Sequence, residues 1–290
     1  MTPKKITAPA VKAMKGSSRI AMITAYDFPS AKAADAAGAD VILVGDSLGM
    51  VVLGYPDTLQ VTVADMLHHT RAAARGTAHA LLVGDMPYLS YHVSTEESVR
   101  NAGEFIRAGA HAVKIEGGKA QRIKTIQAIL DAEIPVMGHI GLTPQSVNAL
   151  GGFKLQGKNV DDARRLMDEA VALDQAGCFS IVLECVPSEL AAMITERISI
   201  PTIGIGAGPH CDGQVLVFHD LLGLYDAHTP KFVRRYASLG DEMRAAIGRY
   251  VDDIRTGAFP NDDSESFHMS NAEELRSLYG SANVVEMPRQ

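Results

Sequence analysis

The sequence contains few cysteines and no long hydrophobic run. Its three cysteines, Cys178, Cys185 and Cys211, form no CxxC pair, which disfavours a disulfide-stabilised scaffold and suits a reducing compartment. No apolar stretch approaches the ~18 residues that a transmembrane helix requires. The lysine-containing N-terminus has neither the apolar segment nor the cleavage pattern of a signal peptide. We therefore expect a cytoplasmic protein without a membrane partner.

Positive charge is also scarce, with 27 lysine and arginine residues against 34 aspartate and glutamate residues and a formal net charge of −7. Because surfaces that bind nucleic acid are usually basic, this balance disfavours DNA or RNA as a partner. The chain is 47% hydrophobic and 21% charged, a composition that excludes a disordered protein. Its 290 residues are compatible with two domains or with one large α/β barrel.

A local pattern occurs three times, as AGADVILVGD at 37–46, AGAHAVKIEG at 108–117 and AGCFSIVLEC at 176–185. The glycine of each repeat fits the left-handed residue that commonly ends a helix. The apolar stretch that follows predicts a strand. Apolar residues recur at helical spacing before the third repeat, and Ser94 with Glu97 predicts a capping box before the second.

Five further segments resemble strands, which brings the number of predicted strands to eight. The runs are continuous rather than alternating, as is typical of parallel strands covered on both faces, and helical patterns lie between most of them. The predicted strands are Ile20–Thr24, Val41–Gly45, Leu81–Gly84, Ala112–Glu116, Pro135–Gly138, Ile181–Glu184, Pro201–Ile205 and Val215–Phe218. Eight such units predict a (β/α)8 TIM barrel, and an open doubly wound sheet is the alternative.

Two segments do not fit the repeating pattern. Residues 47–62 are apolar and glycine-containing, and they form either a mobile lid or a hairpin that plugs one end of the barrel. From Asn261 onward the sequence becomes polar and acidic. We therefore predict one catalytic barrel domain over residues 1–260 and a polar C-terminal tail over residues 261–290.

Four strand ends carry an acidic residue, namely Asp46, Asp85, Glu116 and Glu184. An acid at such a position can be a simple helix cap, but in a TIM barrel the carboxyl ends of all strands meet at the active-site mouth. Carboxylates that converge there repel one another, and a divalent cation relieves that repulsion. Because only oxygen ligands are in prospect, Mg²⁺ is favoured over Zn²⁺.

Two basic residues belong to the same strand ends. Lys114 precedes Glu116 by two positions, so both side chains point to one face of the strand, and the lysine balances charge or binds a substrate carboxylate. His139 follows the next strand, and it either donates to a substrate oxygen or has a structural role. Asp46 stands one position later in its repeat than Glu116 and Glu184, so it reaches the same mouth only if it already lies in the loop.

Two other motifs carry weaker signals. GIGAG at 204–208 resembles part of a dinucleotide-binding fingerprint but lacks the GxGxxG spacing. Its glycines are better suited to a close approach of the backbone to a ligand or a neighbour. Cys185 follows Glu184, but no base that would activate its thiol is identifiable from the sequence, which favours a packing role.

Eight motifs together resemble the ketopantoate hydroxymethyltransferase family, in the order in which the family has them and over roughly residues 18–260. They are ITAYD (23–27), VGDSLGM (44–50), TVADM (62–66), KIEGG (114–118), GHIGLTPQS (138–146), LECVP (183–187), IPTIGIGAG (200–208) and DGQVLVFHDLLG (212–223). The resemblance implies a TIM barrel of the phosphoenolpyruvate/pyruvate-binding type and a homo-oligomer, commonly a decamer. It also implies transfer of a one-carbon unit from 5,10-methylenetetrahydrofolate to 3-methyl-2-oxobutanoate, which gives 2-dehydropantoate in pantothenate biosynthesis.

The resemblance implies roles for individual residues as well. Asp46, Asp85 and Glu116 match the family's Mg²⁺ site, for which we expect one ion per subunit. Glu184 matches its proton acceptor. His139 is a further candidate to bind the substrate, because of its place at a strand end rather than through the resemblance. The positions that match the family's binding site for the 2-oxo acid are Asp46, Ser47, Asp85 and Lys114.

Two alternative functions remain open from the sequence. A carbon–carbon lyase of the isocitrate-lyase type has a similar barrel and similar metal-binding carboxylates but uses a catalytic cysteine. The corresponding strand end here, VMGHIG at 136–141, contains no cysteine, which argues against that activity. A non-catalytic barrel that binds a metal or a nucleotide is supported only by GIGAG.

Overall fold

Eight parallel strands form a closed barrel in the computed structural model of the protein, which describes residues 5–224 and 229–279. The strands are β1 (Ile20–Thr24), β2 (Val41–Val44), β3 (Leu81–Asp85), β4 (Ala112–Glu116), β5 (Val136–Gly141), β6 (Ser180–Glu184), β7 (Thr202–Ile205) and β8 (Gly213–Leu216). Each strand pairs with the next, and β8 pairs with β1. The predicted TIM barrel is confirmed, and the alternative of an open sheet is wrong.

Helices lie between successive strands along the chain, except between β7 and β8. The helices are α1 (Ala8–Ala13), α2 (Phe28–Ala36), α3 (Leu48–Val51), α4 (Val63–Gly76), α5 (Thr95–Arg107), α6 (Ala120–Asp131), α7 (Val147–Leu150), α8 (Val160–Ala176), α9 (Ser188–Arg197), α10 (Phe218–Leu222), α11 (Leu239–Thr256), α12 (Asp262–Glu265) and α13 (Ala272–Tyr279). A 3-10 turn at Pro144–Ser146 directly precedes α7. Within residues 5–224 and 229–279, none of these helices has the length and apolar character that crossing a bilayer requires.

The helix ends follow from local chemistry. The Ser94 hydroxyl accepts a hydrogen bond from the Glu97 N–H and caps α5, which is one of the two bonds of the predicted capping box. The three repeat glycines that follow helices, Gly38, Gly109 and Gly177, have φ angles of 88°, 105° and 103°. Because a side chain is strained in that left-handed region, glycine is the residue that lets each helix end and the next strand begin.

The barrel separates the apolar side chains into two cores. Residues on one face of the strands pack outward against the helices, and those on the other face fill the barrel interior. Ala8 and Val11 of α1 belong to the interior core together with Ile20, the first residue of β1. Helix α1 therefore packs at the amino end of the barrel. Residues 47–62 contain α3 and no strand, so the hairpin expected as one alternative for this segment is wrong.

The contacts within the chain define two units, Met1–Ser238 and Leu239–Gln290. The first contains all eight strands. The second contains α11 and the short helices α12 and α13. This division falls before residue 261, where the change of composition suggests a boundary, so α11 groups with the C-terminal segment and not with the barrel. The single 1–260 domain and the 261–290 tail stay predictions.

Candidate active site

The carboxyl ends of β3, β4 and β5 bring the predicted site residues together. In the strand register, Asp85 is paired with Lys114, and Glu116 is paired with His139. Because register partners on neighbouring parallel strands point to the same face, these four side chains project from one side of the sheet. All four are buried. The barrel therefore gathers two carboxylates, an ammonium and an imidazole at one end of its interior.

Asp46 joins this cluster from the loop after β2. The strand ends at Val44, and Asp46 lies in the turn that leads into α3. Asp46 therefore lies in the loop, as it must in order to reach the same mouth as the other acids. The alternation of side chains along the strand does not fix its direction. The Asp46 N–H donates to Asp85 Oδ2 at 3.3 Å, and the next side chain, Ser47, has its Oγ 2.9 Å from the Tyr26 hydroxyl.

Lys114 and Asp85 form the closest ion pair of the cluster. The ammonium nitrogen Nζ lies 2.8 Å from Oδ1 and 2.7 Å from Oδ2 of Asp85. Burial alone lowers the pKa of Lys114, but the carboxylates of Asp85, Glu116 and Asp46 outweigh it and hold that pKa above its usual value. Lys114 is therefore charged and can bind an anionic substrate group.

The cluster nevertheless has an excess of negative charge. Three carboxylates, Asp46, Asp85 and Glu116, surround the one ammonium group of Lys114. Burial raises the pKa of Asp46 well above its ordinary value, and the charges of Asp85 and Glu116 raise it further. A bound divalent cation would remove this repulsion, because it replaces the missing positive charge.

The donor set fits Mg²⁺ in its chemistry, since all three candidate ligands are carboxylates. Glu116 Oε1 is buried and has no hydrogen-bond partner among the described residues, so it is an acceptor left for a ligand. In the described parts of the chain, however, no three Asp, Glu, His or Cys side chains already converge on one point as a metal site does. Asp85 is paired with Lys114, and Asp46 accepts from Gln145. The metal-binding role of these residues therefore stays a prediction.

His139 lies between two of the predicted site acids. Its Nδ1 is 3.5 Å from Glu116 Oε1, and its Nε2 is 3.3 Å from Glu184 Oε2. Burial favours the neutral ring, but the two carboxylates outweigh it and raise the pKa of His139 to about 9. Glu184 ends β6, and 18% of its side chain is exposed, against 4% or less for Asp85 and Glu116. Glu184 is therefore the acid best placed to meet a substrate.

Gln145 is a functional candidate that the sequence analysis did not single out. Its side-chain amide donates to Asp46 Oδ2 at 2.9 Å and to the Met86 carbonyl at 3.0 Å. Its backbone N–H donates to Glu116 Oε2 at 3.2 Å. One buried residue thus fixes two of the three carboxylates. Gln145 lies within the GHIGLTPQS motif, but nothing in its spacing indicates that its amide reaches the loop after β2.

Tyr91 holds Gln145 in place. The tyrosine hydroxyl donates to Gln145 Oε1 and accepts from the Glu116 N–H. The Arg122 guanidinium lies 4.2 Å from the centre of the Tyr91 ring and donates to the carbonyls of Tyr91 and Glu116 at 2.7 and 2.9 Å. These contacts make one continuous network from α6 to Asp46, which keeps the carboxylates in fixed positions.

The weaker motifs have structural roles. Burial and the adjacent Glu184 charge raise the pKa of the Cys185 thiol to about 12, so the nucleophilic thiolate is disfavoured. All three cysteines are free, as expected. In GIGAG, a Cβ on Gly208 would lie 2.2 Å from the Ser188 hydroxyl oxygen. That glycine therefore permits a close approach to a neighbouring helix, and it supports no nucleotide site.

Known proteins resemble this chain in fold and in sequence. A solved structure of 2,3-dimethylmalate lyase, described as a member of the PEP mutase/isocitrate lyase superfamily, superposes with a TM-score of 0.56 at 17% identity over 94% of this chain and 99% of that one. Similarity at that identity shows the fold alone. It agrees with the closed eight-stranded barrel that the strand pairing shows.

Sequence relatives are much more similar. The 3-methyl-2-oxobutanoate hydroxymethyltransferase of Syntrophomonas wolfei is 58% identical over 86% of this chain and 90% of its own. The protein of that name in Clostridium botulinum is 56% identical over 90% of this chain and 94% of its own. The family model described as ketopantoate hydroxymethyltransferase matches residues 5–262. This chain therefore belongs to the ketopantoate hydroxymethyltransferase family.

Proposed function

We propose that this chain transfers a hydroxymethyl group to 3-methyl-2-oxobutanoate, with 5,10-methylenetetrahydrofolate as the one-carbon donor, and so makes 2-dehydropantoate for pantothenate biosynthesis. Relatives with 58% and 56% identity carry the corresponding enzyme name. The observation in the structure that carries the proposal is the buried cluster of Asp46, Asp85, Glu116 and Lys114 beside Glu184. Such a cluster suits a small acid that must lose a proton next to a ketone.

Asp46, Asp85 and Glu116 are the residues that would hold Mg²⁺, with one ion per subunit. Two observations support this assignment: Glu116 Oε1 accepts no hydrogen bond from the described residues, and neighbouring carboxylates raise the pKa of Asp46. When bound, the ion supplies Lewis-acid polarisation of the substrate ketone.

Lys114 and Ser47 bind the 2-oxo acid in this proposal. An ammonium group has three N–H donors, and those of Lys114 meet two oxygens of Asp85, which leaves a donor for the substrate carboxylate. The Ser47 hydroxyl is held by Tyr26 at 2.9 Å and can donate to the same carboxylate. These contacts orient the acid and stabilise the charge that develops on its ketone oxygen.

Glu184 is the base that removes the proton from the carbon next to the ketone. It is the most accessible of the strand-end acids compared above, and His139 lies 3.3 Å from its Oε2. His139 positions Glu184 through this contact. The deprotonated carbon then bonds to the methylene carbon of the donor as the first of the two carbon–nitrogen bonds of that methylene breaks. Water next displaces the second folate nitrogen, which leaves with a proton, and so supplies the hydroxyl group. A general base in this position must lie within hydrogen-bond distance of the proton that it removes and must have a suitable pKa.

We further infer that the protein is a cytoplasmic homo-oligomer, a decamer as the resemblance implies. The apolar residues Met243, Ile247, Tyr250 and Ile254 recur at helical spacing on α11 and are each about half exposed, between 47% and 59%. An apolar stripe of this kind commonly marks a contact with another chain. Light scattering should give a mass near ten times 30.9 kDa, and the mass of a monomer would contradict the inference.

The first experiment is hydrogen–deuterium exchange at the carbon next to the ketone of 3-methyl-2-oxobutanoate, followed by NMR in D₂O with Mg²⁺ and then with EDTA. We expect fast exchange that EDTA abolishes, because proton removal needs the metal. The same sample with 5,10-methylenetetrahydrofolate should form 2-dehydropantoate. Absence of both exchange and product would overturn the proposed function. An isocitrate-lyase-type activity is disfavoured, since the strand end at 136–141 contains no cysteine and the raised pKa of Cys185 makes its thiol a poor nucleophile.

A further inference from the structure

Two cavities lie near the carboxylate cluster, one lined by Glu116 of the cluster and the other by Tyr26, whose hydroxyl contacts Ser47. One has a volume of about 610 Å³ and is bordered by Glu116 and Gln145. The other has a volume of about 340 Å³ and is bordered by Tyr26. The 2-oxo acid is small and belongs among the buried carboxylates. The much larger one-carbon donor needs a separate space that opens onto them, so one of these cavities is the candidate for its site.

The larger cavity has the dimensions and position of a second substrate site. Its volume falls within the range of about 300–1,000 Å³ that is typical of ligand sites. It reaches the reacting centre, because Gly141 borders it and is the register partner of Glu184. Gln156, which also borders it, donates its backbone N–H to the Cys185 carbonyl. A ligand in this cavity therefore contacts Glu116 and lies beside the strand position that is paired with the proposed base.

A flat ring lies at the rim of the larger cavity. The His92 and Tyr91 rings are 4.3 Å apart, with an angle of 32° between their planes, and Arg122 holds Tyr91 from its other side. His92 is exposed. Burial of part of its ring, together with Arg122, lowers the pKa of His92 to about 4, so the ring is neutral at neutral pH. A neutral ring that lies against Tyr91 on one side can stack with a planar heterocycle on the other.

The two cavities also differ in the charged residues that border them, and this difference again favours the larger cavity as the folate site. Lys119, Arg122 and Arg165 border the larger cavity. Arg165 is paired with Glu169 and lies near Asp162, and Arg122 is held by Tyr91 and the Glu116 carbonyl. Lys119 is therefore the cation best placed to meet a ligand. None of the described residues that border the smaller cavity is a lysine or an arginine. Since a folate ends in a glutamate with two carboxylates, only the larger cavity offers it a counter-charge.

We propose that the 610 Å³ cavity binds the folate donor, with its planar ring system against His92 and its glutamate carboxylates at Lys119. This inference rests on the proposed function, because the cavity is matched to a folate by ring, charge and volume. The methylene group then faces Glu116 and Glu184, and the glutamate end faces the solvent at the start of α6.

The inference is tested by filling the cavity. Ala149 on α7 borders it and is exposed, so an Ala149→Trp variant should fold and occupy the space. We expect the Kd for 5-formyltetrahydrofolate, a stable analogue of the donor, to rise at least about tenfold in isothermal titration calorimetry with the full chain. The matched control is Val52→Trp, which places the same side chain in the smaller cavity and should leave that Kd unchanged. The reverse result would assign the folate to the smaller cavity.

The charge at Lys119 is tested separately, at an exposed position where the fold does not depend on the side chain. Lys119→Ala should raise the Kd for 5-formyltetrahydrofolate by about threefold. It should leave the binding of pteroate unchanged, because pteroate lacks the glutamate. Lys124→Ala, on the same helix but outside the cavity, is the control. Equal weakening of both ligands would overturn the placement of the glutamate.

Different results would contradict the proposed function and the assignment of the folate to the larger cavity. If the wild-type protein forms no 2-dehydropantoate, the proposed function fails. If the wild-type protein forms it, but Ala149→Trp keeps both the wild-type Kd for the folate analogue and the wild-type KM for the donor, only the cavity assignment fails. If Ala149→Trp raises the KM for the 2-oxo acid as much as that for the donor, the two sites are not separate, which also overturns the assignment.

Discussion

Two buried aspartates at opposite ends of the barrel have opposite surroundings. Asp212 precedes β8 and accepts from Lys15 at 2.8 Å, from the Thr202 N–H at 2.9 Å and from the Gly16 N–H at 3.3 Å. Burial alone would raise the pKa of Asp212, but these donors outweigh it and lower that pKa. Asp46 follows β2 at the other end, and there burial and neighbouring carboxylates raise the pKa.

Asp35 extends the comparison. Its carboxylate accepts the N–H groups of Ala78, His79 and Ala80, just before β3, at 2.8 to 3.1 Å, and they lower its pKa against the effect of burial. Acids at the amino end of the barrel are therefore satisfied by donors of the chain itself. At the carboxyl end, by contrast, burial and the charges of Asp85 and Glu116 disfavour the carboxylate of Asp46, which a bound cation would relieve. In barrels of this kind the first arrangement serves stability and the second serves chemistry.

The largest expected effect is on turnover and lies at the carboxyl end. Glu184→Gln should lower kcat by about 1,000-fold, because an amide cannot accept the substrate proton. Calorimetric binding of 3-methyl-2-oxobutanoate with Mg²⁺ should remain, since Glu184 is not placed among the binding residues. Glu189→Gln, an exposed position on the following helix, serves as control. Wild-type turnover in Glu184→Gln would show that another group is the base.

The second effect is on stability and lies at the amino end. Asp212→Asn should lower the free energy of unfolding by about 2 kcal/mol, because the ammonium of Lys15 loses its partner in a largely buried place. Urea unfolding measures this loss. The KM and kcat of the folded variant should equal those of the wild type. A loss of turnover comparable to that of Glu184→Gln would remove the distinction between the two ends.

The third effect concerns the network that positions the carboxylates. Gln145→Ala should weaken Mg²⁺ binding about tenfold, because Asp46 and Glu116 lose the donor that fixes them. Calorimetry with Mg²⁺ alone measures this directly, apart from any effect on turnover. Gln127→Ala, an exposed glutamine on α6, is the matched control. Unchanged Mg²⁺ affinity in Gln145→Ala would mean that the amide only fills space.

The two ends of the barrel also show which features can be predicted from the sequence and which cannot. The eight strands are continuous apolar runs, and acids such as Asp85 and Glu116 directly end them, so both fold and strand-end acids can be read locally. The contact between Tyr91 and Gln145 joins residues 54 positions apart and depends on how two loops fold over the barrel mouth. No repeating pattern in the local sequence predicts this contact. The ion pair of Lys15 with Asp212 is hidden from the sequence for the same reason.

The smallest effect is the pH dependence of the amino-end acid. The folded-state pKa of Asp212 lies below 3.8, its ordinary value, so its carboxylate stabilises the fold fully above that pH. This contribution to the free energy of unfolding is lost as the pH falls through the folded-state pKa, because Asp212 is then protonated in the folded protein as well as in the unfolded one. The difference in unfolding free energy between the wild type and Asp212→Asn should therefore shrink as urea titrations move from pH 6 to below pH 3.8. A difference that stays constant over that interval would mean that the loss in the variant comes from packing, and that charge does not distinguish the two ends of the barrel.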